Sequence, residues 1–589
     1  MITELPIREI LTLAGVVLLV FICYNPDAIG LTTIGGRGRK DKRAPRPLND
    51  PYATKRDIRD LLAKEPTEGR ISFAYYDNWL LETLPDHSLI VFGGARSRKT
   101  SCIVAPATRV WAGTAIVLST KPDLYTLTVN ARRPGGIAMY YPNGKVPAGV
   151  RSIGWNPLDE IAEAAAAERG QTLNNAWGTA LRMAQGMTNQ AGREGGDLHF
   201  WMDLAQLALA PLLLAAAVSP AHDIDAVPRW IKAAQSDSGM GLIEPMNLLA
   251  EYNAPAQATQ ALDDLAEKEQ RAQSSILTTM TTTLMAYEDS EVLATATQPD
   301  RFRPWHLDDP TKELRTLYLL GSSHDQKRLA PIFLGLLDEV ARYYYRKADE
   351  LMIAQDEGRQ IPVVAPRDRL LLVLDEAANA APIPDLDGLA SQGGSHGVCL
   401  LLVYQDLSQL RQRLGQDKAA TVVANCQSRI VTPGMADEAT LATVNGLLST
   451  QPMLTTSTTT TKDGKTTTDT VTEAPILTAA TLRQLEVGQG IVITGNDRPI
   501  RVRLLPQTYG SPLAATKRRR RADKQDGPTA TTAPTPAAPT PVTGKLDRGT
   551  RPLRGRARQT PLDPHVQGKK PANYSAARSD QSPETTGPR

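Results

Sequence analysis

The sequence predicts an α/β chain built on a largely parallel sheet. Three observations carry that expectation. Leu370 to Leu374 is an unbroken apolar run, the mark of a strand buried on both faces, and it ends in Asp375-Glu376. Ser88 to Phe92 is a second such run, followed by a glycine-containing turn and more apolar residues. Elsewhere strand-like and helix-like segments alternate, which favours parallel strands joined by crossover helices.

With 589 residues the chain is long enough for more than one domain, and an apolar fraction of 41% can fill a sizeable core. Net charge is only +3, so the distribution of charge matters more than its sum. Cys23, Cys102, Cys399 and Cys426 lie far apart, which excludes a disulfide framework or a zinc site and suits a reducing compartment.

Ile10 to Tyr24 is an apolar run that covers roughly 22 Å as a helix, against about 30 Å of bilayer core. The basic cluster Arg37, Arg39, Lys40, Lys42, Arg43 and Arg46 follows, and it favours retention on the cytoplasmic side. The expectation is a membrane anchor and flank over 1–35 and a basic cytoplasmic linker over 36–70.

After Ser88 to Phe92 comes Gly93-Gly94-Ala95-Arg96-Ser97-Arg98-Lys99-Thr100, then the apolar Cys102-Ile103-Val104. Strand, glycine-rich turn, Lys-Thr and helix is the phosphate-loop arrangement. Backbone N–H groups of Gly93 to Thr100 would cradle phosphates at a helix amino terminus. Lys99 would reach the β- and γ-phosphates of ATP, and Thr100 would hold Mg²⁺. The motif asks for a second glycine, which Arg98 replaces; two outcomes are open, that Arg98 takes helical backbone angles and adds a charge toward the nucleotide, or that it weakens binding. Strands follow at Thr114 to Leu118 and Ile137 to Tyr141, with a helix over Leu124 to Arg133 between them.

From Asn156-Pro157 the pattern turns helical. Ile161 to Glu168, Leu198 to Val218, Val227 to Ala234, Leu242 to Tyr252, Ala256 to Tyr287 in two pieces, and Glu291 to Ala296 read as helices. An all-α domain over 157–300 is therefore expected, inserted between 71–156 and 301–508 of the nucleotide-binding domain. Leu314 to Leu320 returns to strand, and Leu329 to Lys347 is an amphipathic helix.

Leu370 to Leu374 then ends in two carboxylates. Ligands of open α/β sheets sit beyond the carboxyl ends of parallel strands. Asp375 there can hold hydrated Mg²⁺, and Glu376 can polarise a water. The strand Val398 to Tyr404 ends in Gln405, an uncharged donor able to sense a terminal phosphate.

Leu374-Asp375-Glu376-Ala377-Ala378-Asn379, Pro382-Ile383-Pro384-Asp385-Leu386-Asp387, Gln405-Asp406-Leu407-Ser408-Gln409-Leu410, Gly415 and Ala424-Asn425-Cys426 resemble the signature of type IV secretion coupling ATPases, the TraG/TraD-type conjugative coupling proteins. The resemblance runs from Ser88 to about Pro506. It implies a RecA-like motor domain with an all-α domain and a ring, usually of six subunits, at the inner membrane. Such rings use ATP to recruit a relaxase-bound single strand of DNA from a relaxosome and pass it to a secretion channel. Carried onto this chain, Asp375 coordinates Mg²⁺ through water, Glu376 orients the attacking water and Gln405 senses the γ-phosphate. Two departures join Arg98. Ser119 stands where many relatives carry Asp, and Gly394 where many carry an arginine that can act across the subunit boundary; Arg411, Arg413 and Arg429 are the candidates to replace it. A recruitment scaffold without turnover and a translocator of protein effectors are the alternative functions.

Thr455 to Thr472 is threonine-rich around Lys462-Asp463-Gly464-Lys465, a hairpin or a solvated loop. Leu482 to Leu505 reads as strands. Beyond these, 509–589 is expected to be a disordered basic tail, with blocks at Lys517 to Arg521 and Arg548 to Arg558 able to meet DNA phosphates or anionic lipid.

Overall fold

The computed structural model describes residues 40–42, 46–47, 50–132, 136–188, 196–236, 240–322, 324–357, 368–377, 383, 385–435, 437–448, 450–461, 464–476 and 478–504. The expected anchor at Ile10 to Tyr24 and the expected basic tail lie outside the described residues.

Among the described residues the first elements are two short strands, β1 (Lys40–Lys42) and β2 (Arg46–Pro47). A second group follows: β3 (Leu62–Ala63), β4 (Ser72–Tyr76), β5 (Trp79–Glu82) and β6 (Leu89–Phe92). The chain then alternates as expected, through β7 (Thr114–Ser119), the helix Asp123–Arg132, β8 (Ile137–Tyr140) and β9 (Arg151–Ser152). After the helical insertion come β10 (Thr316–Leu320), the helix Gln326–Asp356, β11 (Leu370–Leu374), β12 (Val398–Tyr404) and β13 (Ser428–Val431). The hairpin β14 (Thr450–Thr461) and β15 (Gly464–Pro475) precedes β16 (Gln489–Thr494) and β17 (Ile500–Arg503).

One 13-stranded sheet takes the order β3-β5-β4-β17-β16-β13-β6-β12-β11-β7-β10-β8-β9. Every pair from β13 to β9 is parallel, and the pairs from β13 to β3 are antiparallel. The parallel strands β6, β7, β10, β11, β12 and β13 are buried along their whole length, which is why the longer ones read as continuous apolar runs. Their side chains divide between two cores by strict alternation. Ile90, Phe92, Leu370, Leu372 and Leu374 belong to the core that also takes in the helical insertion and the helices after β12, whereas Leu89, Val91, Leu371 and Val373 belong to the other layer. Ala53, Ile58 and Leu61 are buried in that second layer, although the sequence places them in the linker over 36–70.

The insertion holds the helices Leu158–Ala167, Asn174–Thr188, Gly196–Val218, Ala226–Ser236, Met240–Glu251, Ala256–Ala266, Gln270–Leu284 and Ser290–Thr297. The second of these was not read from the sequence. Gly196–Val218, apolar enough to cross a membrane, has Ala205 and Leu209 to Ala216 buried, mostly completely, in the insertion's own core.

The chain leaves the sheet and rejoins it at one place. The N–H of Gly154 donates to Asp300 O (2.8 Å), and the N–H of Phe302 donates to Gly154 O (2.7 Å). Bidentate Arg–carboxylate pairs reinforce this neck. Arg151 holds Asp300, Arg301 holds Asp159, and Arg303 holds Glu163 while its Nη1 lies 2.6 Å from Glu339 Oε1.

Candidate nucleotide site

The site lies at the carboxyl ends of β6, β12, β11 and β7. Strand β12 runs between β6 and β11, so Gln405 follows a strand flanked by the phosphate loop on one side and Asp375-Glu376 on the other. The turn leaving β6 is tied down at once: Gly93 N–H donates to Tyr404 O (3.2 Å) and Thr432 N–H to Phe92 O (2.9 Å). A Cβ on Gly93 would lie 1.9 Å from Thr432 Oγ1 and 2.7 Å from Ser97 Oγ. That close approach admits only glycine.

The turn closes with Ser97 N–H donating to Gly94 O (3.3 Å). Arg96 and Arg98 both have φ of 63°. Arg98 therefore occupies the left-handed region and not the right-handed helical angles that the sequence left open for it. The loop keeps the backbone shape that glycine adopts freely and imposes it on an arginine. Both guanidinium-bearing residues are exposed. The helix beyond opens with an i→i+5 turn over Thr100–Val104 before Ala105–Val110, a widening that recurs at functional sites.

Asp375 is 5% exposed, and its N–H donates to Leu118 O of β7 (3.0 Å). The hydroxyl of Thr100 donates to Asp375 Oδ2 (3.1 Å) across 275 residues of sequence. Burial pushes the Asp375 carboxyl up to about 6; the Thr100 hydrogen bond opposes this, Asp123 and Glu376 add to it, and Lys99 opposes it. Lys99 is half-buried and turned back on the loop, its Nζ donating to Gly93 O and to Gly94 O (2.9 Å). Burial lowers its pKa, against the raising effect of Asp375 and Glu376.

Glu376 turns out of the strand with φ of 59°. Thr120 donates to its Oε2 (2.9 Å), and Lys121 Nζ lies 3.6 Å from Oε1. Gln405 is half-buried, its N–H donating to Gln409 Oε1 (3.2 Å), while Asp406 caps the helix Leu407–Leu414 by accepting from Gln409 N–H. The sequence alone assigns no role to Thr120, Lys121 or Thr432. The first two follow β7, which neighbours β11, so the rule about carboxyl strand ends applies to them equally.

The arrangement fits a phosphate chain and a divalent cation. Among the described residues Ser97 Oγ, buried in the loop, has no hydrogen-bond partner, and a hydroxyl and a carboxylate converge at Thr100 and Asp375. Oxygen donors of this kind suit Mg²⁺.

The absence of an arginine at 394 has a steric cause: a Cβ there would lie 2.2 Å from Asp86 O. Of the three candidates to replace it, Arg429 is buried and donates to Val423 O (2.7 Å) and Ala424 O (2.9 Å), a structural role. Arg411 and Arg413 sit half-exposed on the helix Leu407–Leu414.

The chain is similar to known conjugative transfer proteins. Two conjugal transfer proteins TraG of Escherichia coli are 25% identical over 364 residues and 26% identical over 363 residues. These matches cover 59% of this chain in both cases and 53% and 52% of the relatives, so the chain spans about half the length of the curated relatives it matches. The bacterial conjugative coupling protein TrwB in its unbound form has a TM-score of 0.53 at 14% identity, over 82% of this chain and 97% of that one. TrwB in complex with ADP and Mg²⁺ gives 0.53 at 15% identity, over 81% and 97%. At such identity the likeness is one of fold, an α/β phosphate-loop fold. The profile described as type IV secretory system conjugative DNA transfer matches residues 51–507, most of the chain, and the protein belongs to that family.

Proposed function

We propose that the chain is an ATP-hydrolysing coupling protein of conjugation. Anchored in the cytoplasmic membrane with its bulk inside the cell, and assembled as a ring of six, it recruits relaxase-bound single-stranded DNA and drives its passage into a type IV secretion channel. Family membership supports the setting, and the TrwB complex with ADP and Mg²⁺ supports the ligand. The observation that carries the reading is the contact between Thr100 and Asp375, which joins two distant stretches of sequence into one site.

Backbone amides of Gly93 to Thr100 position the phosphates, and Lys99 neutralises their charge once its Nζ leaves the carbonyls of Gly93 and Gly94. Thr100 and Asp375 would hold Mg²⁺, which supplies charge stabilisation at the phosphoryl oxygens. Glu376 aligns the attacking water, with Thr120 as a positioning residue that fixes the carboxylate. Gln405 reports the terminal phosphate to the helix that begins at Leu407.

The test is Lys99→Ala in the full chain. ATP hydrolysis stimulated by DNA and conjugative transfer should both fall by two orders of magnitude or more, while membrane fractionation stays unchanged. Transfer at the parental rate would overturn the motor. A scaffold without turnover is favoured by one observation, Arg98 in place of glycine, and DNA-stimulated hydrolysis by the parent chain would exclude it.

A further inference from the structure

The turn that leaves β7 brings two side chains to the carboxylate of Glu376. Strands β7 and β11 run parallel, with Leu118 opposite Leu374. Their pairing continues one bond further, from Asp375 N–H to Leu118 O. Residues 119–121 and 375–376 therefore leave the sheet side by side. The turn is held from two directions. Ser119 is buried; its carbonyl accepts from Gly321 N–H (3.5 Å) and its hydroxyl accepts from Lys121 N–H (3.3 Å). A side-chain oxygen that takes the backbone N–H two residues on closes a local turn.

The two side chains after Ser119 do different things to Glu376. Thr120 donates a hydrogen bond to Oε2 (2.9 Å), which gives the carboxylate a direction. Lys121 Nζ lies 3.6 Å from Oε1, too far for a hydrogen bond but close for two opposite charges. Among the described residues Glu376 is the carboxylate within ion-pair distance of Lys121. Ser119 is neutral, so the turn closes without a carboxylate that would compete for the lysine. Negative charge gathers at this end of the cleft. Burial raises the Asp375 carboxyl, and the charges of Asp123 and Glu376 add to that effect. Lys99 lies close enough to Asp375 and Glu376 for both to act on its charge.

We infer that Lys121 is a positioning residue for ATP hydrolysis, the cation that keeps the Glu376 carboxylate aimed at the attacking water once Lys99 has gone to the phosphates. This assignment rests on the ATPase reading of the preceding section and supplies a part which that reading leaves out. The phosphate chain carries several negative charges, and like charges at short range repel. With Lys99 engaged by phosphate, a carboxylate facing that chain needs a second cation behind it. The left-handed backbone of Glu376 fixes where the side chain starts and not where it points. The side chain of Lys121 is 63% exposed and that of Glu376 33%. An ion pair so open to water contributes little to stability. A change at Lys121 is therefore read in turnover and not in folding.

Steady-state kinetics of the full chain with DNA, in Lys121→Met, Lys121→Arg, Glu376→Gln and the double variant Lys121→Met/Glu376→Gln, test the assignment. Lys121→Met should lower kcat for ATP by about tenfold while KM, and the affinity for a fluorescent ADP analogue, stay within about twofold. Its melting temperature should match the parent's. Lys121→Arg should restore most of kcat, because the contact is ionic and depends on charge more than shape. In the Glu376→Gln background, Lys121→Met should cost nothing further, since the lysine acts through the carboxylate. Apart from turnover, the Lys121 amine should react several-fold faster with an acylating reagent in Glu376→Gln than in the parent, read by mass spectrometry. Weaker binding of the analogue with a higher KM at constant kcat would make Lys121 a nucleotide ligand and overturn the inference. An unchanged or higher kcat, a loss that arginine does not restore, equal losses with and without Glu376, or equal acylation would overturn it too. All of these leave the motor standing where the parent hydrolyses ATP and Lys99→Ala does not. A parent chain that hydrolyses no ATP would overturn the motor and this role together.

Discussion

Arg98 shows how a motif can lose a residue and keep its shape. The loop holds it at φ of 63°, a conformation costing a non-glycine residue on the order of 1–2 kcal/mol. Such strain persists where the surroundings over-determine the backbone, and it gathers at functional sites. Here Arg96, Arg98 and Glu376, all at positive φ, belong to the two stretches that meet at the candidate site. Arg98→Gly should therefore stabilise the chain by about 1 kcal/mol, read as a rise in the denaturant midpoint at constant slope. No stabilisation would mean that the arginine side chain returns in contacts what its backbone costs. The substitution of glycine was visible in the sequence; the left-handed backbone was not. That depends on Thr432 and Tyr404, more than 300 residues away, pinning the start of the turn. Asp375 and Glu376 were legible because a strand buried on both faces must be continuously apolar, so its end is sharply marked. Thr120 was missed because a lone threonine after a strand carries no signal until the neighbouring strand is known.

At the level of elements, strands β11 and β12 match the sequence reading residue for residue. The antiparallel strands Ser72–Tyr76 and Trp79–Glu82 were missed, being short and separated by a two-residue turn whose Asp77 is at positive φ. The helix Asn174–Thr188 was hidden by its composition. It contains two glycines, and three of the residues it packs through, Ala176, Ala180 and Ala184, are small and give a weak apolar signal beside Met183 and Met187. The neck was also invisible, because ion pairs between distant segments leave no local trace. Arg303 and Glu339 are its most buried pair, 8% and 2% exposed, with Trp155 Nε1–H also donating to Glu339 (2.8 Å). Arg303→Met leaves a buried carboxylate uncompensated and should cost about 3–5 kcal/mol, much of it recovered by adding Glu339→Leu. Chemical denaturation of the single and double variants measures both.

His222 bonds Asp159 at the same neck (2.9 Å), and this bond raises the imidazole pKa against the effect of burial. Burial works against ionisation of Asp159, but hydrogen bonds from His222 and Arg301 outweigh it and hold that carboxyl low. A raised histidine contributes its stability below the unfolded pKa of about 6.5 and loses it as pH climbs through the folded value. The melting temperature should thus drop as pH passes upward through that window. His222→Gln should flatten that part of the dependence, read as melting temperature against pH. The lowered Asp159 acts at the other extreme, losing its share only as pH falls below about 3.8.

Taken whole, the helical insertion and the face of the sheet that bears Ile90, Phe92 and Leu374 share one continuous apolar core. Scanning calorimetry of the chain should accordingly show the sheet and the insertion melting in one endotherm; two well-separated transitions would mean that the neck, and not the core, joins them. The meeting of Gly154 with Asp300 and Phe302 has a further bearing on divergence. Whatever the chain does between those residues, it returns to the same hydrogen bonds, so the register of the strands that carry the candidate site is insulated from it. Helices turned away from the sheet can then be lengthened, shortened or recoded without shifting the strand ends beneath them.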